Sequence, residues 1–217
     1  HRYCEVGETV DFGATVTDAD GDPTTSEWSF GDGGEETGTT ASHAWTMPGD
    51  YAVEFEVTDG MHETTAIVDV TVAKPLVVLK VKGGVSFKKE LKDKLKLKAT
   101  LDLPADFVPE GQMLTVAVGD VESMFLLDAK GKGKSIAGSV KLKYSKKAGT
   151  WVVSAKLKKG EFAETWADHG VVNETVKAVA LSLPARVRVG ESTFIVDAPA
   201  LYTGKEGKSG KFKTPRR

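Results

Sequence analysis

Alternation with a period of two runs through most of the chain and leaves little room for anything but strands. In YAVEFEVTD, Tyr51, Val53, Phe55 and Val57 fall on one face, and Ala52, Glu54 and Glu56 on the other. ETVDFGATVTD groups Val10, Phe12, Ala14 and Val16, and TTAIVDVTV follows the same rule. Farther on, KLKLKATLDL and GSVKLKYSKKAGTWVVSAKLKK repeat it with lysine as the polar partner. Successive side chains of a strand point to opposite faces, so each segment reads as a half-buried strand. The connections carry turn chemistry: DADGDP, GDGG, MPGD and TDGMH. The chain is therefore expected to be all-β. The one helical candidate is GEFAETWADHG, where Phe162, Trp166 and His169 follow i, i+4, i+7 and Gly170 supplies a stop. It is expected to be a short helix closing one end of a barrel or sandwich.

Charge divides the chain. Residues 1–73 hold sixteen acidic residues and one arginine, net −15; residues 74–217 hold fifteen acidic and twenty-eight basic residues, net +13. The sign changes at VAKPLVV, which predicts an acidic module over 1–73 and a basic one over 74–217. No apolar run approaches the roughly 18 residues of a membrane-spanning helix. Cys4 is the single cysteine, so no internal disulfide is possible, and it is expected as a small residue of the first strand. The sequence opens inside the approach to a strand, which suggests a piece of a longer chain.

Within the acidic module, WSFGDG (28–33), SHAW (42–45) and PGDYAVEFEVTDG (48–60) occur in order, followed by one last strand. This series resembles the PKD domain over about residues 5–73. The family pattern has Asp where this chain has Ser29, and Tyr where it has Trp45. The resemblance implies an Ig-like β-sandwich. On it, Trp28 and Phe30 supply core, Gly31 and Gly33 permit turn conformations, and Asp32 accepts backbone amides. His43 shares a face with Trp45 and reads as structural, and Tyr51 packs and hydrogen-bonds near a strand start. The resemblance also implies one possible cofactor, calcium. In PKD domains of some bacterial collagenases the ion lies between an Asp-x-Asp-Gly loop and a late Thr-Asp turn. Asp18, Asp20 and Asp59 match those positions, with Asp22 as an addition. The alternative is an Asx-rich turn left in solvent.

The basic module carries an internal repeat. VAVGDVESMFLLDA (116–129) aligns with VRVGESTFIVDA (187–198); Leu-x-Leu-Pro precedes each copy and a Lys-Gly-rich segment follows. The duplication is expected over about 92–135 and 177–213, building a pseudo-symmetric β-barrel or sandwich. The arrangement resembles Lys-rich C-terminal β-modules of large secreted bacterial proteins.

Motifs for chemistry are scarce. GKGKS lacks the glycine that a P-loop needs upstream, and no Gly-x-Ser-x-Gly, His-Glu-x-x-His or Cys-x-x-Cys occurs. His1, His43, His62 and His169 show no ligand spacing. Asn173 opens a glycosylation sequon. Lys94, Lys96 and Lys98 share a face, as do Lys141 with Lys143 and Lys156 with Lys158. Such arrays are either the solvated side of a sheet or a site for an anionic polymer. Few aromatics interleave with them, so no specific nucleic-acid partner is expected. The sequence reads as a non-catalytic structural, adhesion or assembly module, secreted or at the surface of a bacterial cell. Its expected partner is a protein or polysaccharide surface, or a second copy joined head to tail through opposite charges. The alternative is a carbohydrate- or matrix-binding appendage of a large extracellular hydrolase. A third and weaker reading is a small enzyme using the carboxylates of the first module.

Overall fold

The computed structural model describes residues 1–160 and 162–215. They divide into two compact units, with the boundary between Lys74 and Pro75.

The first unit is an Ig-like sandwich. Its strands are β1 (Arg2–Glu5), β2 (Val10–Gly13), β3 (Thr25–Ser29), β4 (Glu35–Thr37), β5 (Thr40–His43), β6 (Gly49–Thr58) and β7 (Glu63–Pro75). One sheet runs β1-β7-β6-β3-β4, with β1 parallel to β7 and the other pairs antiparallel. The second sheet is the β2–β5 pair. Alternate residues turn inward, and Cys4, Phe12, Trp28, Phe30, Ala41, Trp45, Val53, Phe55, Val70 and Val72 form one core. Gly31 has φ +73°, and a Cβ there would lie 2.8 Å from the Ala52 carbonyl oxygen, so the GDG turn needs glycine for both conformation and space. Tyr51 donates to the Met47 carbonyl at 3.0 Å and packs on Trp45, as its motif implied.

The second unit comprises β8 (Val77–Ser86), β9 (Asp93–Leu101), β10 (Met113–Val118), β11 (Val121–Leu126), β12 (Lys132–Ser135), β13 (Gly138–Ser145), β14 (Thr150–Gly160), the single short helix α1 (Phe162–Thr165), β15 (Val176–Val189), β16 (Ser192–Lys205) and β17 (Ser209–Lys213). One sheet has the order β12-β13-β14-β9-β8-β17 and the other β11-β10-β15-β16. Strand β16 pairs with both β15 and β17 and joins the two sheets along one side. Among the described residues no ladder joins β11 to β12, so the structure is an open sandwich and not a closed barrel.

Both strand orders read the same from either end. If the half β8–β12 is matched to the half β13–β17, β9 pairs with its own counterpart β14, and β10 with its counterpart β15. The register agrees: Val116 faces Val187, the residue it aligns with in the repeat, and the hairpins beyond turn on Gly119 and Gly190 at φ +56° and +57°. The last strand of each half completes the other: β12 pairs with β13 and β17 with β8. This correspondence of strand order spans residues 77–135 and 138–213, a wider stretch than the expected duplication over about 92–135 and 177–213. The two Leu-x-Leu-Pro segments are not equivalent. Leu101 ends β9, whereas Leu181–Pro184 lies inside β15.

The helix is shorter than the i, i+4, i+7 spacing predicts. It closes on Trp166 N–H to Phe162 O at 2.9 Å and then tightens into three-residue turns. Gly170 N–H bonds to Ala167 O and Val171 N–H to Trp166 O, with Gly170 at φ +86°, which is a Schellman stop at the expected glycine. Phe162 and Trp166 are both buried in the core of the second unit.

Candidate functional site

The acidic turns of the first unit are self-contained. Asp18 Oδ1 accepts the amides of Asp20 and Asp22 at 3.0 and 2.9 Å. Asp59 Oδ1 accepts those of Met61 and His62 at 2.7 and 2.6 Å. These amides, His62 first, hold the Asp59 carboxyl below its ordinary value. Each carboxylate thus closes its own turn. Among the described residues no group of three His, Cys, Asp or Glu side chains is placed to hold a metal ion, so the turns do not bring Asp18, Asp20, Asp22 and Asp59 together as one ligand set.

Asp32 and His43 make the tightest polar contact of the GDG motif. Asp32 Oδ2 lies 2.9 Å from His43 Nε2, Asp32 Oδ1 accepts the Gly34 amide at 3.0 Å, and the His43 ring stacks on Phe30 at 4.1 Å. Desolvation pushes the Asp32 carboxyl up, but the His43 and Gly34 hydrogen bonds outweigh it and the net shift is downward. A lowered carboxyl contributes stability above its unfolded value, near pH 4, and loses it as pH falls through the folded value. Asp32→Asn should therefore lower the melting temperature of the first unit at neutral pH, and the gap to the parent should close below about pH 4. Thermal melts of both proteins across pH check this; a gap that stays constant would remove the carboxylate from the account.

The sheet β12-β13-β14-β9-β8-β17 turns every second residue inward, as in Leu95, Leu97, Ala99, Val153, Ala155 and Leu157. The residues between them are mostly lysines, and cross-strand register sets them in rows. Lys213 faces Lys82, Lys82 faces Lys96, and Lys96 faces Lys156; Ser139 and Lys134 continue the line. A second row holds Lys80, Lys98, Ser154, Lys141 and Lys132. A third holds Lys211, Gly84, Lys94 and Lys158. All these lysines are exposed, and among the described residues no ion pair joins one of them to a carboxylate. Gly84 carries no side chain, and beside it Lys82, Lys94, Lys96, Lys211 and Lys213 border a depression of about 610 Å³. Smaller relief continues beside Lys80, Lys98 and Lys156.

Alternation identified the lysines of β9, β13 and β14. It did not join them to Lys80, Lys82, Lys132, Lys134, Lys211 and Lys213, although LKVKGG, GKGKS and SGKFK alternate too. GKGKS is no phosphate loop, because Lys132–Ser135 is strand β12. Asn173 is exposed, and its Oδ1 accepts the Gly207 amide at 2.8 Å.

The first unit also has a charged outer face. Glu27 lies directly opposite Glu56, and Glu35, Glu54 and Asp69 share that side of the sheet. Ser29 separates Glu35 from Glu54, and Ile67, 60% exposed, lies beyond Glu54.

The PKD-domain family model matches residues 1–72, the whole of the first sandwich but its last residues. No curated protein matches the sequence. A solved structure, from work on the promiscuous specificity of carbohydrate-binding modules of the β-sandwich superfamily, is similar at 15% identity and a TM-score of 0.32. The match covers 96% of this chain and 90% of that one. Similarity at that level carries no inference about what this chain binds.

Proposed function

We propose that the chain is a non-catalytic adhesion or assembly module of a secreted or cell-surface bacterial protein, with the lysine face of the second unit as its contact surface. The observation that carries this reading is the like-charge register. Like charges directly opposite on neighbouring strands destabilise a sheet, and this face aligns them across four successive strands without carboxylate partners. An anionic protein or polysaccharide surface would relieve that repulsion and release counterions.

In its assembly form, the acidic unit of one copy meets the basic unit of another, head to tail; a contact of that kind that does not close propagates into a filament. Exposed charges are screened beyond about 8 Å at physiological salt. Sedimentation of the 217-residue chain should therefore show association at low ionic strength that dissolves as salt rises. A monomer at every salt concentration would remove the assembly form, and salt-insensitive oligomers would place the contact on apolar or strand-edge surfaces. Calcium belongs to the proposal in a weak form only. An ion at Asp18, Asp20 and Asp59 would compete with the amides that Asp18 and Asp59 now accept, which sets the affinity near 10⁻⁴–10⁻³ M, on the order of extracellular modules. Thermal melts in the same buffers with millimolar calcium test it, and an unchanged first-unit transition rejects it.

A further inference from the structure

We infer that the lysine face takes an extended acidic polysaccharide, one bearing a carboxylate on each sugar, laid across the strands. The inference rests on the reading of that face as the contact surface and names its ligand.

The direction comes from the register. Along any one strand of this sheet the longest lysine series is Lys94, Lys96 and Lys98. Across the strands, Lys213, Lys82, Lys96 and Lys156 make an unbroken line of four. Neighbouring strands lie about 4.8 Å apart, so the line offers an ammonium group at each step over about 14 Å. A matching polyanion needs one charge per strand spacing, and a polymer with one carboxylate per sugar ring has a repeat close to it. The line is continuous because the two halves of the unit meet at β9 and β14, where Lys96 faces Lys156. A single half would present a shorter array. Gly84 lowers the surface beside this line, so a sugar ring can approach the backbone next to Lys94 and Lys211.

Other ligands fit less well. The three rows contain Lys, Ser and Gly and no aromatic ring, so neither bases nor neutral sugars find a stacking plate. They contain no arginine, whose fork suits phosphate. The acidic face of a second copy is a poor match. Its longest unbroken acidic run across strands is the pair Glu27–Glu56, flanked by Thr37 and Thr65.

The test uses the full chain and oligogalacturonates of increasing length, with neutral glucan oligomers, poly-glutamate and oligo-dT as rivals, read by calorimetry at several salt concentrations. Affinity should rise with length until the oligomer spans the four-lysine line, and then level. The salt slope should approach −3 for four lysines, on the roughly −0.7 per contact of a single-stranded polyanion. Lys96→Glu with Lys156→Glu should weaken binding about tenfold or more, whereas Lys88→Glu with Lys89→Glu, the same charge change in a turn, should not. Lys96→Glu alone should also weaken binding and raise the melting temperature by about 1–3 °C, because it sets an opposite charge between Lys82 and Lys156, the two lysines that face it. Loss of binding with a gain in stability separates a ligand surface from a structural one. Tighter binding of poly-glutamate or oligo-dT, or no preference over neutral glucan, overturns the inference. If the chain adheres to an anionic surface through these lysines but ignores uronates, the ligand assignment falls and the adhesion reading stands. If adhesion survives the Lys96/Lys156 change, both fall.

Discussion

Trp28→Ala should abolish the first unit's cooperative melting transition at room temperature while leaving that of the second unit in place. Trp28 is 4% exposed. Its ring centroid lies 4.5 Å from that of Phe55 and 5.5 Å from that of Phe12, and its Nε1 donates to the Gly38 carbonyl at 2.9 Å. It bridges the two sheets, because Phe12 belongs to the small sheet and Phe55 to the large one. Truncating a buried large aromatic costs about 3–5 kcal/mol. A unit of this size with no disulfide holds only a few kcal/mol in reserve. Trp28→Phe should be milder, since it keeps most of the packing and loses only the bond to Gly38. Differential scanning calorimetry of the whole chain reads both transitions. A first-unit melt within a few degrees of the parent would show that Trp28 is not needed to hold the sheets together.

Trp166→Ala is expected to be the most damaging change in the second unit, lowering its melting temperature by about 10–20 °C. The figure combines about 3–5 kcal/mol for the truncation with a few degrees per kcal/mol for a unit of this size. Trp166 is fully buried, and its Nε1 donates to the Val118 carbonyl at 2.8 Å. Its ring meets Phe162 at 4.9 Å and Phe212 at 5.2 Å. One side chain therefore ties α1 to the β10–β11 turn and to β17, which closes the six-stranded sheet at one edge. Its loss leaves a cavity and removes the indole hydrogen bond to Val118 together, and the second term persists in Trp166→Phe. Near-ultraviolet circular dichroism melts of the two variants separate these contributions. A loss under about 3 °C in Trp166→Ala would mean that the helix does not anchor the sandwich.

The two tryptophans differ in how far the sequence announced them. Trp28 stood inside WSFGDG, where order and spacing pointed to a sandwich core, and the core contains it. Trp166 stood in a segment read as a longer helix. The segment instead closes after one turn, because Gly170 takes a left-handed conformation and returns the chain to Trp166 O through Val171. Spacing gave the buried face of that segment correctly, since burial follows side-chain direction. It overstated the length, since one glycine ends the hydrogen-bond series whatever the residues before it prefer.

What the sequence determined by itself was local: which segments are strands, which face of each is buried, where turns fall and where charge changes sign. These depend on the two-residue period and on glycine and aspartate chemistry within a few positions. The correspondence between the two halves of the second unit was legible only in the repeated words around Gly119 and Gly190. Its full extent needed the strand order, because the counterparts β9 and β14 share little beyond alternating lysine. The tertiary structure alone decided which strands are neighbours. That decision sets Lys96 against Lys156 and Lys82, with sixty residues separating the first pair in sequence. Register between distant strands is fixed by how the inward side chains fill a shared core, and no spacing along the chain encodes it.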